Sequence, residues 1–193
     1  ILIQIGGLGV IACAFSFFLI LKKKITLRER IMIRETYNMD TLGGMVKFLI
    51  KIIKGTFLAE AAGALLFAVQ FIPEYGFVKG ICYAVFHAVS AFCNAGIDIL
   101  GDSSFIKYAT NPLINATAIC LIVVSGIGFT VWGDVGENLK KVRRGELHGS
   151  RMFMKLSLHS KIAITMTVIL IVGGTLSFFL LEYANPETFG GMS

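Results

Sequence analysis

Apolar residues form long unbroken runs along this chain, and charged residues fall in short clusters between them. Four runs approach or exceed the length of about 20 residues that a helix needs to cross a hydrocarbon core. They are Ile1–Leu21, about Gly55–Ile72, Pro112–Trp132 and Ile162–Leu181. The second has an amphipathic lead-in carrying Lys47, Lys51 and Lys54. Helix is the expected form, because backbone N–H and C=O groups in lipid must be paired within the segment. A fifth stretch, Phe77–Phe92, is apolar and helix-like but would reach only about 24 Å. It is too short to cross.

The charges orient these runs. Lys22, Lys23, Lys24, Arg28, Arg30 and Arg34 follow the first run, and Lys140, Lys141, Arg143, Arg144, Arg151 and Lys155 follow the third. The positive-inside rule assigns the basic loops 22–35 and 140–161 to the cytoplasm. Loop 73–111 and tail 182–193 carry Glu74, Asp98, Asp102, Glu182 and Glu187 against few bases, and are expected outside. The signs alternate at every crossing, which leaves no room for another span. Phe77–Phe92 must therefore enter and return on one side, as a half-helix followed by an extended segment. Such backbone survives at membrane depth only when buried in protein or lining a water-filled cavity.

Composition agrees. The chain is 55% hydrophobic and 16% charged, with a mean hydropathy of +0.78, whereas soluble domains are about one quarter charged. It opens on Ile1 and closes on Ser193 soon after an apolar run, so a piece of a longer protein is expected. Ile1–Leu21 lacks the basic leader and small-residue cleavage site of a secretory signal. The net charge of +6 is dispersed between spans, which is an orientation pattern and not a nucleic-acid footprint. Cys13, Cys82, Cys93 and Cys120 lie in apolar surroundings without a C-x-x-C pair, as small buried residues do. No cofactor is expected in this chain.

The candidate chemistry lies just after the half-helix, in Cys93-Asn94-Ala95-Gly96-Ile97-Asp98. A cation entering a membrane loses water, and backbone carbonyls can replace it. The half-helix points its partially negative C-terminus at this segment. Gly96 can take positive φ, which lets successive carbonyls point one way. Asp98 would concentrate cations at the mouth. The competing reading makes Gly96 an ordinary turn glycine, with Asn94 and Asp98 as turn residues. His87, in the half-helix, reads as a packing histidine bonded to a neighbour rather than a metal ligand. Glu60 is an acid inside a span, a functional candidate that can also pair with a base or brace the half-helix from behind. The glycines Gly6, Gly7, Gly9, Gly126 and Gly128 lack the strand and βαβ setting of a nucleotide loop and suit close helix packing instead. Asn115-Ala116-Thr117 matches a glycosylation acceptor but falls within a span.

There is weak internal repetition. Gly7-Leu8-Gly9-Val10 resembles Gly126-Ile127-Gly128-Phe129, and Gly63-Ala64-Leu65-Leu66-Phe67 resembles Gly174-Thr175-Leu176-Ser177-Phe178. The division this suggests is 1–21 as the end of one repeat, 46–135 as a complete repeat with its loop at 77–98, and 161–193 as the start of another.

The string from Phe86 to Asp98 resembles the second pore loop of the Trk/Ktr/HKT potassium transporters. Gln4-Ile5-Gly6-Gly7-Leu8-Gly9, Gly126-Ile127-Gly128-Phe129 and Asn185-Pro186-Glu187-Thr188 resemble flanking family segments. The resemblance implies an all-α transmembrane fold of four helix–pore loop–helix repeats around one pore. It makes Gly96 the filter glycine of the second repeat, with Asn94, Ala95 and Ile97 beside it, and potassium held by the backbone of Asn94, Ala95 and Gly96. It also implies potassium uptake, a homodimer in membrane lipid and a cytoplasmic ring of RCK-type nucleotide-binding regulatory subunits. The compact loops look closer to the Ktr branch, in which sodium stimulates uptake. There is no TVGYG string, so conduction is better founded than selectivity. Three alternatives stand beside this one. They are a homotetrameric cation channel with one loop per subunit, a membrane-embedded enzyme using Glu60 or His87, and a structural anchor.

Overall fold

The computed structural model describes residues 2–8, 31, 45–101, 104–183 and 185. Every regular element among them is helical. The chain forms two compact units, Ile1–Gly126 and Ile127–Ser193.

The first unit holds α1 (Leu2–Leu8), α2 (Met45–Tyr75), α3 (Phe77–Phe92), a 3-10 turn (Ser104–Tyr108) and α4 (Pro112–Gly126). The amphipathic lead-in expected before the second span is continuous with it, and α2 runs 31 residues. Helix α3 has the expected bounds of the half-helix and packs along α2. The approach is close because Gly80 has no side chain. A Cβ there would lie 2.6 Å from the Ile72 Cα and 2.7 Å from the Phe71 carbonyl oxygen. Aromatic rings fill the space above. Phe67 and Phe71 are fully buried, and Phe71, His87, Phe105 and Tyr108 meet with ring centroids 5.0–6.2 Å apart. The Tyr108 hydroxyl donates to Glu74 Oε2 at 2.6 Å, and Lys107 forms an ion pair with the same carboxylate. The 3-10 turn is thus tied to the end of α2.

Helix α4 begins with a side-chain cap. Asn111 Oδ1 accepts from the N–H groups of Leu113 and Ile114 at 3.0 and 3.2 Å, and Pro112 fills the first helical position, where no N–H is needed. Asn115, the apparent glycosylation acceptor, instead donates to the carbonyls of Tyr108 and Ala109.

The second unit holds α5 (Phe129–Arg143), a 3-10 turn (Gly149–Arg151), α6 (Met152–Lys155) and α7 (Leu158–Glu182). Ser157 caps α7 by accepting from the Ser160 N–H at 3.3 Å. Asp134 on α5 accepts from the Ser157 N–H at 2.7 Å and from Asn138 Nδ2 at 3.0 Å. Helix α7 is the fourth expected span, begun one turn earlier than its apolar run.

One expectation is corrected. The run Pro112–Trp132 is not a single helix: α4 ends at Gly126 and α5 starts at Phe129. Gly128 between them has φ +97°, a left-handed value that an α-helix cannot contain. Taken alone, two described helices are long and apolar enough to cross a membrane, over Phe48–Tyr75 and Leu158–Glu182, and α4 with α5 make a third only when counted together. Of the first expected span, Leu2–Leu8 is described, and the remainder lies outside the described residues.

Candidate functional site, a loop held against its half-helix

The sequence of α3 decides where the half-helix stops. Cys93 N–H bonds the Val89 carbonyl at 2.9 Å, Asn94 N–H the Ala91 carbonyl at 3.1 Å, and Ala95 N–H the Ser90 carbonyl at 2.9 Å. This is the paired six-to-one and five-to-two closure that ends many helices, with a left-handed residue at the turn. That residue is Asn94, at φ +53°. Asparagine tolerates the left-handed region better than most residues. Gly96 is also left-handed, at φ +64°, yet it lies beyond the closure. Its conformation is therefore not needed to terminate the helix. Asn94 is thus the turn residue that closes the helix, and Gly96 bends the chain two residues further on.

Beyond Gly96 the chain runs back along α3 and is held there. Ser90 Oγ donates to the Ile97 carbonyl at 2.5 Å and accepts from the Ile97 N–H at 3.0 Å. The imidazole of His87 bonds the Tyr83 carbonyl through Nδ1 at 2.6 Å, so that nitrogen carries the proton. The bare Nε2 faces the Ile99 N–H at 3.5 Å, a long contact. On the other flank Asn94 Nδ2 donates to Ser125 Oγ of α4 at 2.9 Å. Asn94, Ala95, Gly96 and Ile97 are exposed in this unit, and a Cβ built on Gly96 would meet nothing within 4 Å. The carbonyls of Asn94, Ala95 and Gly96 accept no hydrogen bond from any described residue. A cavity of about 370 Å³ opens beside the segment, lined among others by His87, Ser90, Asn94, Gly96 and Asp98.

Asp98 is less free than a bare surface acid. It accepts from the Ser104 hydroxyl at 2.6 Å and from the Leu100 N–H at 3.1 Å. These two bonds, the Ser104 one foremost, hold its carboxyl below the usual carboxylate range. It stays charged at neutral pH while bracing the loop.

Glu60 faces the other side of α3. It is 5% exposed, and its groove of about 510 Å³ is shared with Gln4, Val85 and Val89. Among the described residues no ion pair involves it, so the suggested partner base is not found there. Glu60 Oε1 and Gln4 Nε2 are both buried without a hydrogen-bond partner. Gln4 Oε1 is 3.8 Å from the thiol of Cys93, the residue that caps α3. Glu60 thus sits behind the half-helix and does not join the loop.

Sequence reading brought out Asn94–Asp98 together but missed Ser90, Ser125 and Ser104 as their supports. A signal was present in Ser90, which with Lys79 and His87 is one of the few polar residues on the half-helix. What it bonds depends on the return path of the loop, which no residue pattern specifies.

Spans, a half-helix too short to cross and a returning loop define a multi-pass helical membrane protein. The chain belongs to the TrkH family of cation transport proteins, whose pattern it matches over residues 1–187. It is 40% identical over 181 residues to the potassium/sodium uptake protein NtpJ of Enterococcus hirae, covering 94% of this chain and 37% of that one. It is 37% identical over 189 residues to the Ktr system potassium uptake protein B of Bacillus subtilis, covering 98% and 40%. Its identity to the Ktr system potassium uptake protein B of Vibrio alginolyticus is 32% over 192 residues, covering 100% and 40%. The chain spans about two fifths of the length of these relatives. The family is one of transporters, and the membrane-enzyme alternative falls away with that membership.

Proposed function

We propose that this chain forms part of the ion pathway of a potassium-uptake subunit, with Asn94, Ala95 and Gly96 supplying one strand of a selectivity filter. The observation that carries the reading is the state of their carbonyls. Three in succession are free of protein partners among the described residues, on a segment clamped at both flanks and opened by a left-handed glycine. Preorganised carbonyl dipoles without net charge are what a dehydrating cation requires. Ile97 flanks the strand, because Ser90 already occupies its carbonyl. Asp98 lies at the mouth and raises the local cation concentration. Glu60 braces the half-helix and takes no part in conduction.

In this reading 46–135 is one complete repeat with its pore loop at 77–98. Segments 1–21 and 161–193 belong to the neighbouring repeats. Loops 22–35 and 140–161 are cytoplasmic, and 73–111 and 182–193 are outside. Similarity to a potassium/sodium uptake protein and to potassium uptake proteins supports potassium as the ion, with sodium as a second ion; stimulation by sodium is what the Ktr resemblance implies. Two of them belong to a Ktr system, which supports the Ktr branch. A homodimer and a cytoplasmic RCK-type ring are the partners that the family resemblance implies.

Growth rescue tests this. The full-length protein, with its regulatory partner, is expressed in a bacterium lacking its own potassium uptake and grown at low potassium. The parent is expected to restore growth and Gly96→Asp to abolish it at equal membrane abundance, because a carboxylate in the strand traps or blocks the ion. A well-expressed parent that fails to rescue sinks the reading.

A further inference from the structure

We propose that Ser90 sets the ion specificity of this strand, as a positioning residue whose hydroxyl captures both backbone polar groups of Ile97 and so ends the run of ion-available carbonyls at Gly96. The inference rests on the pore reading above and adds to it a residue outside the strand.

The geometry is specific. Ser90 is 3% exposed on α3, and its single proton goes to the Ile97 carbonyl at 2.5 Å while its oxygen accepts from the Ile97 N–H at 3.0 Å. One hydroxyl therefore fixes the orientation of two consecutive peptide planes, those on either side of Ile97. The plane before Ile97 carries the Gly96 carbonyl. Capture of the Ile97 N–H thus orients the last free carbonyl of the strand, and capture of the Ile97 carbonyl removes the next one from competition for the ion.

A second clamp lies one turn earlier on the same buried face. His87 is 2% exposed, and its ring is wedged between Phe71 and Phe105, at centroid distances of 5.5 and 5.0 Å. The Tyr83 carbonyl fixes its tautomer, leaving Nε2 toward the Ile99 N–H. Asn94 is anchored to Ser125 at the far end. Ala95 N–H is held by the Ser90 carbonyl, so the freedom left to the Ala95 and Gly96 carbonyls depends on how firmly Ile97 is held. Discrimination between alkali cations depends on the number of carbonyls presented and on how freely they adjust. Removing the Ser90 hydroxyl changes both. The Ile97 carbonyl becomes available, and the Gly96 peptide can rotate.

The test measures initial uptake of potassium and of sodium in cells carrying the full-length protein, with membrane abundance determined for each variant. Ser90→Ala is expected to lower the potassium-to-sodium uptake ratio by about threefold to tenfold, the range that one net hydrogen bond is worth. Ser90→Thr, which keeps a hydroxyl, is expected to retain more of the ratio than Ser90→Ala. Ala88→Gly loosens the same helix without touching the clamp, and is expected to reduce abundance while leaving the ratio unchanged. A ratio in Ser90→Ala equal to that of the parent overturns the role of Ser90 alone. A fall in Ala88→Gly matching that in Ser90→Ala also overturns it, because helix looseness would then suffice. If the parent takes up no potassium, or Gly96→Asp leaves uptake intact, the pore reading itself fails and this inference goes with it.

Discussion

Asn94 and Gly96 both occupy the left-handed region, for different reasons. Asn94 closes the helix, and Gly96 shapes the returning segment beyond it. Two positions on, Asp98 has its charge secured by Ser104 and Leu100. Its depressed folded value means that the charge, and the bonds depending on it, are fully present above the ordinary carboxylate value of 3.8 and are lost as pH falls through the lower folded value. If Asp98 concentrates cations, Asp98→Asn will reduce potassium uptake at limiting potassium by about twofold to tenfold near neutral pH. The deficit should shrink as salt is raised. Parent and variant should converge only below pH 3.8. Initial-rate uptake in proteoliposomes across pH and ionic strength would measure this. A deficit that persists unchanged once the pH is below the folded value would show that Asp98 acts as a loop brace and not through its charge.

The half-helix is positioned by the way α2 and α3 meet. Gly80 brings the backbones into contact, so any added carbon strikes main-chain atoms of Phe71 and Ile72. Gly63 also lies at a helix contact, but a Cβ there meets the side chain of Leu121, with Cδ1 at 2.6 Å. Main chain cannot yield, whereas a leucine can change rotamer. Gly80→Ala should therefore cost about 1–3 kcal/mol or more through overpacking. Gly63→Ala should cost less, offset by the roughly 0.5–1 kcal/mol that alanine gains over glycine inside a helix. Thermal melting of the detergent-solubilised full-length protein would rank them. Equal losses would mean that the α2–α3 contact is looser than this geometry requires. A misplaced α3 would also displace Ser90 and His87, so potassium uptake should fall more in the Gly80 variant per molecule in the membrane.

At the scale of the whole molecule, the proposed arrangement puts the 3-10 turn after the loop outside and the basic turn after α5 inside. Ile106 is 77% exposed, and Glu146 is likewise exposed. With the four native cysteines replaced, Ile106→Cys should react with a membrane-impermeant maleimide in intact cells. Glu146→Cys should react only after permeabilisation. Labelling of both from the same side would break the alternation on which the re-entrant path depends. Helix α7, exposed along its apolar length within its own unit, agrees with a chain whose solvent is largely lipid.

Much of this architecture was legible in residue order because lipid imposes few solutions. Apolar runs of crossing length become helices, and basic clusters declare a side. A helix as short as Phe77–Phe92 cannot cross, and a chain that enters through it has to turn back. The bounds of α3 and the location of the loop at 93–98 follow from those rules and from the family string. The break at Gly128 was harder to read, because isolated glycines are common in spans and only the backbone angle distinguishes a packing glycine from a hinge. The supports of the loop were not legible at all. Ser90 meets Ile97 seven residues on, and Asn94 meets Ser125 thirty-one residues on. Contacts between a helix and a non-repetitive segment have no sequence period. They arise once the loop has folded back on α3 and α4 has packed alongside, and only then does a buried hydroxyl such as that of Ser90 meet its partners.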